Sequence, residues 1–199
     1  MEFRFIAGSP ALDFVNTVDW AGDSPVEGER LPDYATLLDW ATTSGNIEKK
    51  LATKLAGLAK ADPAAAARAH AAALRARAAL RTVMRETAED GKPSRSATEA
   101  FNRLLRSALA HAALNPQGTT RWSWEGAGED LSSPLWPVLW SGAELLASPD
   151  ASLIRECGAE RCGWMYVDRS RPGNRKWCEM ETCGNRAKAR RHYHRAKSI

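Results

Sequence analysis

The sequence predicts a mainly α protein: a helical N-terminal body followed by a small four-cysteine module built as knuckle, β-hairpin and helix. Three observations carry that expectation. Alanine- and leucine-rich stretches between residues 32 and 114 have helical spacing, with caps and stops at their ends. All four cysteines, Cys157, Cys162, Cys178 and Cys183, fall in one 27-residue window. Charge is divided unevenly: residues 155–199 hold 12 Lys and Arg against 5 Asp and Glu, leaving 16 against 19 in the rest of the chain. A basic module attached to a mildly acidic body implies an anionic partner for the module.

The N-terminal "FRFIAG" reads as a short strand ending at Gly8, and Pro10 suits the first turn of a helix over "ALDFVNTVD". "GDSPVEGERLP" is a loop by its Gly, Pro and Asp content. "PDYATLLDWATTSG" is a helix with Leu37, Leu38 and Trp40 inside and Gly45 as its stop. "NIEKKLATKLAGLAK" puts Ile47, Leu51, Leu55 and Leu58 on one apolar face. The clearest helix starts at Asp62 as cap with Pro63 in the first turn, and runs through an alanine-rich interior to Gly91. Ser96 and Glu99 have capping-box spacing for the next helix. "TTRWSWEG" alternates as a strand, and "SPLWPVLWSGAELLAS" has helix character with Pro137 confined to an early turn or a kink. The body is expected over residues 1–149 and the module over 150–199, with the boundary near "ASPDAS".

The cysteine spacing is C-x4-C, fifteen residues, then C-x4-C. Short pairs separated in this way point two thiolates at one ion from each of two loops, which is the tetrahedral zinc pattern. Four thiolates leave no open position, so the expected cofactor is one structural Zn2+ held by Cys157, Cys162, Cys178 and Cys183. Two disulfides, unrelated core cysteines and an iron–sulfur cluster are the alternatives. Gly163 and Gly184 each follow the second cysteine of a pair, where positive φ would let the backbone curl round the metal. "WMYVDRSRPGNRKW" then reads as a hairpin turning at Pro172 and Gly173, and Asn185 as the cap of a last helix. The order is that of a treble-clef-like zinc finger.

"CGWMYVDRSRPGNRKWC" and "CGNRAKARRHYHR" resemble the CGNR zinc finger, named for Cys183–Arg186. "AGSPALDFVNTV" with "LPDYATLLDWATTSG" is similar to the ABATE domain that precedes this finger in bacterial proteins described as stress-induced transcription regulators. The resemblance spans nearly the whole chain and implies a bacterial regulator with a helical N-terminal domain.

The last helix carries Arg186, Lys188, Arg190, Arg191 and Arg195, and no acidic residue follows Glu181. Arg169, Arg171 and Arg175 add charge on the hairpin. Like charges so dense repel one another, and phosphates would relieve that repulsion. These eight residues are the candidate nucleic-acid contacts, most of them to phosphate and some to guanine edges in a major groove. DNA is the expected partner; the competing readings are RNA, or a small-molecule-binding protein or enzyme in which the finger is purely structural and its helix packs on the body. One finger makes few base contacts, so specificity would call for a homodimer on two half-sites. Trp164 and Trp177 are expected to pack against the finger helix, with stacking on bases as the alternative.

In the body, Asp13, Asn16 and Thr17 would share one helical face. Either they line a pocket for a small-molecule effector, or they bond loop backbone and fix the fold. His70 and His111 read as ordinary histidines of alanine-rich helices. Trp122, Trp124, Trp136 and Trp140 read as core, as an interdomain contact or as walls of an aromatic pocket. No phosphate loop, nucleophile elbow or His-Glu metal motif is present, so no catalytic residue is assigned. No apolar run reaches membrane-spanning length and the start lacks a signal-peptide pattern, so a cytoplasmic location is expected.

Overall fold

A computed structural model describes residues 3–21, 24–115, 121–160 and 162–197. The organising element is α4 (Pro63–Asp90). Its start is set by Asp62, whose carboxylate accepts the Ala65 amide at 2.8 Å, with Pro63 in the first turn where no amide is needed. Gly91, at φ 74°, ends it in the left-handed conformation. A helix of 28 residues is about 42 Å long, enough to cross the body and reach the cysteine module. Around it lie α1 (Pro10–Val15), α2 (Tyr34–Thr43), α3 (Lys49–Ala61), α5 (Arg95–Leu109) and α6 (Trp136–Ala147), each in contact with α4. Leu12, Phe14, Leu37, Trp40, Leu55, Leu80, Met84 and Val138 are almost wholly shielded from solvent. Burying each of the larger side chains contributes about 1.5–3 kcal/mol. Phe14 and Trp40 meet tilted at 48°, ring centroids 5.1 Å apart, an arrangement that suits aromatic quadrupoles.

Among the described residues there are also three antiparallel strand pairs, short 3-10 and π-helical turns and a last α-helix. β1 (Asp19–Ala21) pairs with β2 (Ser24–Glu27), β3 (Ala112–Asn115) with β4 (Arg121–Trp124), and β5 (Ile154–Glu156) with β6 (Met165–Val167). α7 spans Asn185–Lys197. None of the described helices is long and apolar enough to cross a membrane.

Several local expectations need correction. Residues 3–6 form no strand, and α1 stops at Val15, so Asn16 and Thr17 sit in the turn beyond it. The loop expected over residues 22–32 contains β2. Ser94, not Ser96, caps α5 by accepting the Ala97 amide at 3.2 Å; Ser96 falls inside the helix with its hydroxyl 3.1 Å from that of Ser94. β6 lies where "WMYV" was expected to be extended, but its partner is β5, upstream of the first cysteine pair. The reason is Asp168. Its carboxylate accepts the amides of Ser170 and Arg175, both at 3.0 Å, and the Ser170 hydroxyl at 2.5 Å. These bonds coil the chain after β6 back on itself, so "RKW" does not return as a strand.

Ile154, Met165 and Val167 of the β5–β6 hairpin belong to the same buried cluster as the helical body. The cysteines form a second cluster with Trp164 and Tyr166. Side chains of the hairpin thus face two cores, one belonging to the body and one surrounding the thiols.

Candidate functional site

β5 and β6 hold Cys157 and Cys162 at the tip of their hairpin, where the Cys157 amide donates to Trp164 O at 2.8 Å. The second pair lies across from it. Cys178 ends the Asp168-clamped loop, and a turn of π-helix over Met180–Gly184 delivers Cys183 directly into the start of α7. The Gly158 amide donates to Lys176 O at 2.9 Å and ties the two halves together.

All four thiols are buried and free, and their sulfurs lie within 4.8 Å of one another. Cys178 Sγ is 3.7 Å from Cys162 Sγ and 3.6 Å from Cys183 Sγ. A disulfide would need about 2.05 Å. Four thiolates at about 2.3 Å from a tetrahedral zinc lie about 3.8 Å apart, which these separations match. An iron–sulfur cluster carries its own sulfides and would spread the cysteine sulfurs more widely. The donor set therefore fits one zinc ion in a closed, structural site.

The electrostatics agree. Hydrogen bonds from the thiols of Cys162 and Cys178, helped by the Cys178 and Ala159 amides, hold the Cys157 thiol well below the ordinary thiol range. The thiolate so formed pushes the Cys162 thiol up, and the Cys178 thiol is raised by its bonds to Cys157 and Cys162. Thiolates crowded this closely repel one another, and a cation among them relieves that repulsion. Arg186 supplies part of that charge, its guanidinium donating to Cys183 Sγ at 3.2 Å, and the bond to Cys183 raises its own pKa.

The two glycines after the cysteine pairs differ. Gly163 has φ 61°, and a Cβ there would come within 2.5 Å of Trp20 O. Gly184 is not among the glycines of positive φ; a side chain there would instead run into the Met180 thioether and the edge of Trp177.

The basic residues separate into two groups. Arg169 is bound to Asp150 through Nε at 2.9 Å and Nη2 at 2.7 Å, and reaches Gly8 O at 3.2 Å. Arg175 stacks over the Tyr166 ring, 4.2 Å from its centroid, and donates to the carbonyls of Trp177 and Cys178. Arg190 pairs with Glu160. Arg171, Arg186 and Lys188 are exposed. The side chains of Arg191 and Arg195 lie outside the described part of the structure. A cleft of about 530 Å³ beside the cysteines is lined by Lys176, Trp177, Cys183, Arg186 and Arg190. Trp177 thus lies between the finger's two halves and α7. Trp164 turns the other way: it is buried, donates Nε1 to Asp19 Oδ1 at 2.8 Å and lies under Arg30, at 5.0 Å.

Of Asp13, Asn16 and Thr17, only Asn16 bonds across the seam between body and finger, while Asp13 and Thr17 are bonded within the body. Asp13 accepts the Ala7 amide at 3.0 Å; burial pushes its pKa up to about 6 against the pull of that bond. Asn16 bonds the Met165 backbone in both directions, donating to O and accepting from N, each at 2.8 Å. Thr17 accepts from Arg77 at 2.8 Å and donates to Phe14 O at 2.7 Å. An apolar cleft of about 530 Å³ lies elsewhere, among α2, α3 and α4, lined by Tyr34, Leu38, Ala59, Ala66 and His70 with Lys60.

The seam has further bonds that no local pattern announced. The Trp20 amide donates to Cys162 O at 3.1 Å, and the Val167 amide to Ala7 O at 2.8 Å. Arg81 of α4 is wholly buried and bonds Gly163 O at 2.9 Å and Glu156 at 2.8 Å. The available signal was spacing: Arg77 and Arg81, four apart, fall on the same helical face as Ala73, Leu80 and Met84, and a charge on an apolar face requires partners.

Residues 8–149 match the family pattern of ABATE, whose description reads "Putative stress-induced transcription regulator", and residues 154–196 match that of the CGNR zinc finger. A comparison with curated proteins finds no match.

Proposed function

This chain belongs to the ABATE family and carries a CGNR zinc finger after the ABATE domain, and on that premise we propose that it is a regulator that binds duplex DNA through its zinc-held helix α7. The observation that carries the reading is the position of α7. It begins at the residue after Gly184, next to a metal ligand, and it turns Arg186 and Lys188 to solvent with no acidic residue along its length. Arg171, on the loop after β6, adds a further exposed cation. Anchoring at the cysteines removes much of the conformational entropy that a basic tail would lose on docking. Arg169, Arg175 and Arg190 take part less directly, since carboxylates or backbone carbonyls within the chain already hold them; they hold the shape of the surface, whereas Arg186 bonds Cys183 Sγ and is still exposed. The helical body reads the signal, and the apolar cleft among α2, α3 and α4 is its candidate effector site. Two copies of the chain on two half-sites would supply the specificity that one finger lacks.

The test is binding of the zinc-loaded chain to duplex DNA over a salt series, beside the double variant Arg171→Ala/Lys188→Ala, which leaves the cysteines and Arg186 untouched. Each phosphate contact contributes about 0.9 to the slope of log affinity against log salt, so the variant should be shallower by about 1.8. Absence of binding by the wild type at low salt would refute the reading and leave the finger as a structural element.

A further inference from the structure

The first cysteine pair is framed by two residues that the body holds. Glu156 immediately precedes Cys157, and Gly163 immediately follows Cys162. Arg81 bonds both, donating Nη2 to the Glu156 carboxylate at 2.8 Å and Nη1 to Gly163 O at 2.9 Å. One guanidinium therefore spans the base of the knuckle, and its planar fork fixes the distance between the two ends.

Arg81 is itself held rigidly. Its side chain has no solvent exposure, and its guanidinium lies over the Trp20 ring, 5.6 Å from the centroid. Trp20 in turn donates its amide to Cys162 O at 3.1 Å, and its backbone fills the space that a side chain at position 163 would need. Arg81, Trp20 and Gly163 form one packed unit reaching from α4 to the thiols. A buried charge of this kind is expensive unless fully partnered. Its partners here are the flanks of a metal-binding loop.

We propose that Arg81 is a positioning residue of the zinc site: by gripping Glu156 and Gly163 it sets the separation of Cys157 and Cys162 and links zinc affinity to the seating of this one turn of α4 against Trp20. The linkage is reciprocal. Zinc that is bound better when this turn is in place also stabilises it there. The finger is then not an independently working appendage, and its metal occupancy is felt by the helical body. This holds whether or not the chain binds nucleic acid.

The test is zinc affinity of the full-length chain by competition with a chromogenic chelator, for wild type and for Arg81→Met, Glu156→Gln and Leu55→Ala, at a temperature where far-ultraviolet circular dichroism shows each variant folded. Leu55 is fully buried in α3 and serves as a control for destabilisation of the core. Removing an outer-shell partner typically costs 10–100-fold in metal affinity. Arg81→Met is expected to lose at least tenfold and Glu156→Gln several-fold, while Leu55→Ala stays within about twofold of wild type. Cobalt substitution should show an altered thiolate-to-metal absorption for Arg81→Met and an unchanged one for Leu55→Ala. Wild-type zinc affinity in Arg81→Met, or an equal loss in Leu55→Ala, overturns the proposal. Should Arg81→Met fail to fold, Glu156→Gln decides, because its side chain is 34% exposed and its loss is tolerable to the core; unchanged affinity there overturns the proposal equally.

Discussion

Replacing Asn16 by Ala should unfasten the body from the finger strand. Asn16 is 2% exposed, and its side-chain amide satisfies both the N–H and the C=O of Met165, at 2.8 Å each. The β5 edge of β6 is already used by strand pairing, so Asn16, together with Ala7 O on the Val167 amide, takes the place of a third strand along the other edge. Alanine leaves a buried donor and a buried acceptor unpaired, at about 1–3 kcal/mol apiece, so a loss of roughly 3 kcal/mol is expected. For a chain of this length that lowers Tm by roughly 6–12 °C. Asn16→Asp should not rescue it: the carboxylate still accepts from the Met165 amide but turns an anionic oxygen toward the Met165 carbonyl. Thermal unfolding of the zinc-saturated proteins, followed by far-ultraviolet circular dichroism, measures both. A Tm within about 2 °C of wild type for Asn16→Ala would refute the reasoning, and would return Asn16 to the role of a residue facing an effector.

Asp13 makes a pH prediction. Its folded pKa, about 6, lies above the ordinary 3.8, so the native state binds the extra proton between those values and this group's contribution to stability declines as pH rises from about 4 to about 6. The full penalty, about 3 kcal/mol, is in place at pH 7. Asp13→Asn, which cannot ionise, should gain on wild type over that interval, and the difference between their Tm values at pH 4, 5, 6 and 7 checks it; a pH-independent difference counts against it. Gly163→Ala and Gly173→Ala form a matched pair, since both glycines have φ near 60° but only Gly163 has a neighbour in the space of a Cβ. Gly173→Ala should lose about 1–2 kcal/mol from backbone strain alone, and Gly163→Ala clearly more because Trp20 must shift. Urea denaturation of the two variants reads the difference, and equal losses would mean that the Trp20 contact is soft.

Much of the body was legible residue by residue. The Asp62 cap, the Gly91 stop and the inward faces at Leu37, Leu38, Trp40 and Leu55 all rest on interactions within a few residues, and those are written in the spacing. Ser96 misled because the capping box is a pattern of types; Ser94, two residues earlier, offers the same hydroxyl where the chain actually turns. In the finger the four cysteines converge as their spacing predicted, whereas the hairpin pairs differently from the expectation. "RKW" is as compatible with a strand as "IRE", and only the bonds gathered by Asp168 separate them. Gly184 was given the same reason as Gly163 on the strength of an identical neighbour, yet its backbone does not use positive φ.

The sequence by itself determined the helices, the four thiols and the basic end of the chain. Helix formation is set over single turns, and thiolate chemistry with short loop spacing suffices to specify a tetrahedral ion. Tertiary structure alone decided what the polar residues are for. Asn16 meets Met165 across 149 positions and Arg81 meets Gly163 across 82, and nothing within reach of either residue along the chain marks its partner. Arg169 and Arg175, equal to Arg171 in the sequence, became internal ties while Arg171 stayed at the surface, because the fold placed Asp150 and Tyr166 beside them and left Arg171 facing solvent. Charge can be counted from a sequence; whether it is spent inside the molecule depends on which distant groups the folded chain brings within about 3 Å.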